Sequence, residues 1–170
     1  MIKKISLVMA CMLLLVSNVL LAQNKYVGAE KCKMCHMSKG KAYPVWSTSK
    51  HAKAFETLKS DAAIAIGKEK GIASPSTDQK CLKCHSTAAA IDANLNGGIT
   101  NAEGVSCETC HGPGSTYKSA IMMKDKATAM KNGLIIPDEK TCLKCHNSES
   151  PTFKSFDFAT YNAKITHKNP

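Results

Sequence analysis

Apolar positions are spread very unevenly along the chain. Residues 5–22 read ISLVMACMLLLVSNVLLA, an almost unbroken apolar run behind the charged start MIKK, and the pattern turns polar at Gln23. A charged start, an apolar run of this length and a small residue at its end have the form of a secretory signal, which predicts removal of residues 1–22. Leu20 is bulkier than usual two residues before such a cut, so retention of the segment as a membrane anchor is the alternative. Cys11 falls inside the apolar run and is read as part of the discarded signal. Beyond it, His51, Ala54, Phe55 and Leu58 share one face at i, i+3, i+4 and i+7, which predicts a long helix between Ser47 and Lys70. A second helix is predicted from Tyr117 to Lys131, and IDANLNGGITNAEG, between Ala90 and Gly104, reads as loop. No stretch alternates long enough to make a sheet. The expected fold is mostly α and loop-rich, one domain over residues 23–170 with little or no sheet.

Composition adds a difficulty to that picture. Aromatic residues are 5% of the chain, and beyond the signal leucine, isoleucine, valine and phenylalanine are sparse. A domain of ordinary size with so few large apolar side chains has little from which to build a core. Something other than side chains must occupy its interior.

Charge narrows the partners. The 23 basic residues are all lysine, so no guanidinium fork is present for phosphate or base edges, and nucleic acid is not an expected partner. The formal charge of +10 includes Lys3 and Lys4 of the signal. Between Lys25 and Lys59 eight lysines face only Glu30 and Glu56, which makes this end a basic surface suited to an acidic partner or simply to keeping the protein in solution.

The cysteines carry the chemistry. Eight of the nine stand in four frames of one form: Cys32, Cys35, His36 in CKMCH; Cys81, Cys84, His85 in CLKCH; Cys107, Cys110, His111 in CETCH; and Cys142, Cys145, His146 in CLKCH. Disulfides suit an exported chain with an even cysteine count, and paired CxxC ribbons suit zinc. Neither needs a histidine at the next position. With six histidines in 170 residues, a histidine after all four pairs arises by chance on the order of once in a million. Covalent haem c does need it, because two thiols add across the vinyl groups on one porphyrin edge and the adjacent imidazole then reaches the iron. The expectation is four covalently bound haems around which the chain wraps, their rings supplying the missing apolar interior. Their propionates also lower the net charge of the exported protein, so steering is weaker than the sequence pI of 9.2 implies.

Four irons have eight axial positions, and His36, His85, His111 and His146 take one each. Only His51 and His167 remain as distal imidazoles. At least two irons therefore use methionine, lysine or water, or stay open. Met34 lies inside its own frame and Met37 abuts a proximal histidine, which ties both to the wrong side of the ring. Met122 and Met123 are the candidate thioether ligands on the second predicted helix, with packing against porphyrin as their other role, shared with Met130. The Gly112, Pro113, Gly114 run should end the third frame's helix at once and let backbone approach a flat neighbour such as a second haem.

Taken together, YVGAEKCKMCH, then WSTSKHAKAF from Trp46, then GVSCETCHGPGSTY, then CLKCHNSESPTFKSFDFATYNAKITHKNP resemble the cytochrome c-554 family over nearly all of the chain beyond the signal. The resemblance implies a small helical tetrahaem electron carrier, supplied in the best-known case by hydroxylamine oxidoreductase. It implies three bis-histidine haems and a five-coordinate iron at the second frame, with His51 and His167 matching distal ligands. Three such haems need seven histidines and this chain has six, so one iron bound by His36, His111 or His146 lacks its second imidazole.

The function expected is a periplasmic electron relay between redox proteins, an oxidoreductase as donor and a cytochrome or membrane complex as acceptor, with no catalytic side chain. The alternatives are a haem enzyme acting on NO or hydroxylamine at an open iron, and a docked subunit of a membrane redox complex, which an uncleaved signal would favour. If the lysine-rich end docks the partner, the bimolecular rate of electron transfer falls as ionic strength rises; a rate flat with salt contradicts that surface.

Overall fold

A computed structural model describes residues 23–38 and 40–168. The predicted signal over residues 1–22, with Cys11, lies outside the described residues. Within them the molecule is helical and loop-rich, without a strand; the one β-type contact is an isolated parallel bridge between Tyr26 and Asn96. No described helix is long and apolar enough to cross a membrane.

The helices are short, the longest being Asp61–Glu69 with nine residues. Most begin on a side chain that accepts a hydrogen bond from an otherwise unpaired backbone N–H. Asp78 accepts from Lys80 N ahead of Gln79–His85, and Asp138 from Thr141 N ahead of Glu139–Leu143, where Thr141 answers in a capping box. The first three CxxCH frames lie wholly on helices, Glu30–His36, Gln79–His85 and Cys107–His111. The fourth begins on Glu139–Leu143 and runs past its end, yet His146 N still bonds to Cys142 O at 3.0 Å, which keeps Cys142, Cys145 and His146 on one turn.

Two predicted helices are broken. In place of one helix over 47–70 there are three, Ala42–Ser47, Ala54–Thr57 and Asp61–Glu69. His51 falls in the turn between the first two, where its carbonyl accepts from Ala54 N at 3.1 Å and from Val105 N at 2.9 Å. Trp46 Nε1 donates to Val105 O at 2.8 Å beside it. Gly104 makes this docking possible: its φ is +60°, and a Cβ there would sit 2.6 Å from His51 O. A continuous helix would have spent the His51 carbonyl internally. Ser60, extended at ψ 154°, then caps a fresh helix. Likewise 117–131 divides into Ala120–Met123 and Lys126–Lys131, because Asp125 leaves helical geometry to accept from Thr128 N. The loop expected between Ala90 and Gly104 holds two short 3₁₀ turns, Ala93–Leu95 and Asn101–Glu103.

Long-range order comes mainly from polar ties. The segment 24–29 runs between two loops: Tyr26 N bonds to Leu95 O at 2.8 Å, Gly97 N to Tyr26 O at 2.8 Å, and Ser115 N to Lys25 O at 3.1 Å. Glu108, 1% exposed, accepts from Val27 N at 2.9 Å, Gly28 N at 2.8 Å and Gly114 N at 2.6 Å. Glu103 accepts from Ala29 N at 2.7 Å and from the Ser106 hydroxyl at 3.0 Å. Thr87 closes a further link, its hydroxyl accepting from Ser106 N at 2.7 Å and meeting Thr109 Oγ1.

Apolar burial is meagre by comparison. Among the described residues the buried apolar side chains are Ala29, Leu58, Leu82, Ile99, Tyr117 and Ala129, while Met34 is 84% and Ile121 78% exposed. At about 1.5–3 kcal/mol for a fully buried large side chain, so few cannot offset the backbone entropy lost by a chain of this length. The protein produced without haem should therefore show the far-UV circular dichroism of a largely unfolded chain. A cooperative thermal transition in the haem-free protein would contradict this.

Candidate functional site

The four CxxCH frames converge through their sulfurs. The Cys32 and Cys107 thiols lie against each other, which joins the first frame to the third. Cys84 and Cys145 are in hydrogen-bonding contact as well, joining the second to the fourth. Cys110 and Cys142 lie close enough to influence one another, which links the third to the fourth. The order of neighbouring attachment points is therefore first, third, fourth, second, unlike the order in sequence. Burial raises the pKa of Cys110 and Cys145, and burial with the Asp78 and Cys84 charges raises that of Cys81, so these sulfurs are neutral thiols. All eight are free of disulfide bonds.

The imidazoles fall into pairs from distant parts of the chain. His51 and His146 have ring centroids 6.0 Å apart, and His111 and His167 are 5.8 Å apart. Two imidazoles binding one metal from opposite sides, each at about 2.0 Å from a ring nitrogen, have centroids separated by about 6 Å. Both pairs match that spacing. The other nitrogen is held in two of the frames: His111 Nδ1 meets Ile135 O at 3.1 Å and His85 Nδ1 meets Ala54 O at 2.8 Å. Donation from Nδ1 to a carbonyl fixes the tautomer and leaves the Nε2 lone pair for a metal. Burial lowers the pKa of His51, His111 and His146, so their rings are neutral at pH 7. His167 Nδ1 is buried with no hydrogen-bond partner, a costly arrangement that a bound metal would relieve.

A cavity of about 380 Å³ opens between the first and third frames, lined by Cys32, His36, Cys107, Cys110, His111 and His167 and walled by Trp46, Tyr117, Met123, Leu134 and Ile136. A second, of about 330 Å³, lies beside Cys145 and His146 against Phe153 and Tyr161. Phe156 stacks on the His146 ring at 4.8 Å. Tyr117 is buried, its hydroxyl donating to Gly112 O at 2.9 Å, and desolvation raises its pKa so that it remains a phenol.

This donor set fits a porphyrin better than a bare ion. A zinc ion needs three or four converging ligands, and among the described residues no three His, Cys, Asp or Glu side chains gather to hold a metal. A porphyrin brings four nitrogens of its own, so one or two imidazoles and two thiols at the ring edge suffice. Cys32, Cys35 and His36, Cys81, Cys84 and His85, Cys107, Cys110 and His111, and Cys142, Cys145 and His146 supply that set four times.

The methionines divide by geometry. Met123 lines the larger cavity, whereas the Met122 sulfur accepts from Asn132 Nδ2 at 3.6 Å. The turn after His111 also differs from expectation. Gly112 has φ +76°, and a Cβ there would lie 2.6 Å from Gly133 O and 3.2 Å from the Ile135 side chain. The close neighbour is the chain segment that carries the Ile135 carbonyl to His111. Sequence reading passed over Glu108, although it is the only acidic residue inside any of the four frames, and that isolation was its signal.

Known proteins point the same way as this geometry. The family model for cytochrome c554 and c-prime matches residues 31–112. Cytochrome c-554 of Nitrosomonas europaea is 30% identical over 158 residues, which cover 79% of this chain and 63% of that protein. The chain thus spans a little under two thirds of that relative's length. In fold, the solved structure of reduced cytochrome c554 from the same organism superposes with a TM-score of 0.55 at 24% identity, over 86% of this chain and 80% of that one.

Replacing Gly112 by alanine forces an L side chain into a left-handed conformation and against Gly133 O. A loss of about 2 kcal/mol is expected, read as a fall of about 4–8 °C in the melting temperature of the haem-loaded protein. An unchanged melting temperature contradicts the close approach.

Proposed function

Because the chain is similar to cytochrome c554 in sequence and in fold, we propose that it belongs to that family and is an exported tetrahaem c-type cytochrome that relays electrons between redox proteins. The observation that carries this reading is the pairing of imidazoles at metal-spanning distance, His51 with His146 and His111 with His167, each pair containing one frame histidine and one from elsewhere. Haem supplies one-electron chemistry through its iron. The protein's residues attach it by Cys32, Cys35, Cys81, Cys84, Cys107, Cys110, Cys142 and Cys145 and ligate it by the histidine closing each frame. Contacts between the frames support a single domain over residues 23–170, and the apolar leader supports delivery to the periplasm.

The two pairings use both spare histidines. His167 stands beside the third frame and His51 beside the fourth, and six histidines leave at least two of four irons without a second imidazole from this chain. For His85 this agrees with the open iron that the resemblance implies. Met123 and Tyr117 share the cavity with His36. That shortfall favours a second reading, in which a small uncharged molecule such as NO or hydroxylamine binds an open iron. Without arginine the chain offers no fork for an anionic substrate.

EPR of the ferric protein and CO or NO titration of the ferrous protein test both readings. The expected result is two low-spin bis-histidine irons, and His51→Ala or His167→Ala each converts one of them to high spin. An unchanged spectrum in either variant contradicts its pairing. CO binding at one or two irons keeps the small-molecule reading, and wholly low-spin irons that bind nothing end it.

A further inference from the structure

Glu108 is a carboxylate with no place in the metal chemistry, yet it is the largest fully buried side chain of the molecule among the described residues, at 1% exposure. It sits one residue after Cys107 and reaches across to the start of the first frame. Oε2 accepts from Val27 N at 2.9 Å and Gly28 N at 2.8 Å, and Oε1 accepts from Val27 N at 3.0 Å and Gly114 N at 2.6 Å. Every contact is made as acceptor, the pattern of an ionised carboxylate. Three backbone N–H groups from two segments thus hold it in place without a cationic partner. Glu103 stands beside it, accepting from Ala29 N and Ser106 Oγ.

We propose that Glu108 is a positioning residue that locks the first CxxCH frame against the third and, as a buried negative charge at their junction, lowers the reduction potential of the haem carried by Cys32, Cys35 and His36. The inference rests on the haem reading above.

The physical basis is differential stabilisation. An anion in a low-dielectric interior favours the ferric ring over the ferrous one, and burial, hydrogen bonding and local charge are the levers by which a protein sets such a potential. Cys32 lies beside Cys107, the residue that precedes Glu108, so the carboxylate stands next to the attachment point of the first frame. Lys118, the next residue after Tyr117, lies on the exposed surface, where solvent screens it. A purely structural clamp could be built from neutral groups. Placing an ionised carboxylate inside a frame otherwise occupied by lysine, leucine, methionine and threonine makes the charge itself functional.

The test uses the exported, haem-loaded protein. Haem content is measured first by pyridine haemochrome assay; a parent protein without haem overturns the proposed function, whatever Glu108 does. EPR-monitored redox titration then compares the parent with Glu108→Gln and Glu108→Asp. In the Gln variant at least one midpoint should rise so that its oxidised-to-reduced ratio at fixed potential changes about tenfold, equivalent to about 59 mV for one electron. The Asp variant, which keeps the charge, should recover most of that shift. A Gln variant that carries full haem and titrates like the parent overturns the proposal, as does an Asp variant displaced as far as Gln. Should the Gln variant fail to mature, Glu103→Gln decides: one midpoint must rise while the others hold, and four unchanged midpoints overturn the proposal.

Discussion

The interior of this protein cannot be closed by its own side chains. Six apolar side chains are buried among the described residues, two of them alanines, while Met34, Met37, Met130, Ile64 and Ile121 stand exposed. Everything else follows from that shortage. The helices are short, four of them carry the CxxCH frames, and many of their starts are fixed by serine and aspartate caps. The segments between them are joined by backbone bonds and by Glu103, Glu108 and Thr87, whose polar atoms are satisfied one by one. Such a frame is specific in geometry and weak in hydrophobic energy, which is the arrangement expected when large flat cofactors supply the apolar surface.

Much of this was legible in the sequence. The four CxxCH frames are local, so their spacing pointed to haem c, as the family comparison also does, and the absence of alternation announced a fold without sheet among the described residues. His51 and His167 stood out because the four irons that the frames imply would need partners. The pairing itself was not legible: His51 reaches His146 across 95 positions, and only the folded chain brings them to 6.0 Å. The broken helix at His51 was hidden for a related reason. Its apolar spacing is that of a continuous helix, but the His51 carbonyl is claimed by Val105, a contact that no local pattern encodes. Gly112 was recognised as a close-approach glycine, and its neighbour proved to be Gly133 and Ile135. Glu108 was missed because a glutamate inside a short polar helix resembles a solvated one until its three backbone donors are seen.

The same contacts give the electrostatic pattern its shape. The frames adjoin in the order first, third, fourth, second, so the carboxylates Glu103 and Glu108 sit toward one end of that series and the exposed pair Lys83 and Glu149 toward the other. The lysine-rich segment before residue 60 lies nearer the first frame in sequence, although Lys33 and Lys59 are partly neutralised by Glu30 and Glu56. In the proposed electron carrier, the buried Glu108 bears on how readily an electron resides at that end.

The central claim is that four haems replace the missing core, and the intact mass of the exported protein tests it most directly. Under denaturing conditions that release any non-covalent ligand, the account predicts the mass of the processed chain plus four covalently attached haems, with no reactive thiol left among the eight frame cysteines. A mass equal to the bare chain, or to the chain with disulfides in place of thiols, would contradict it.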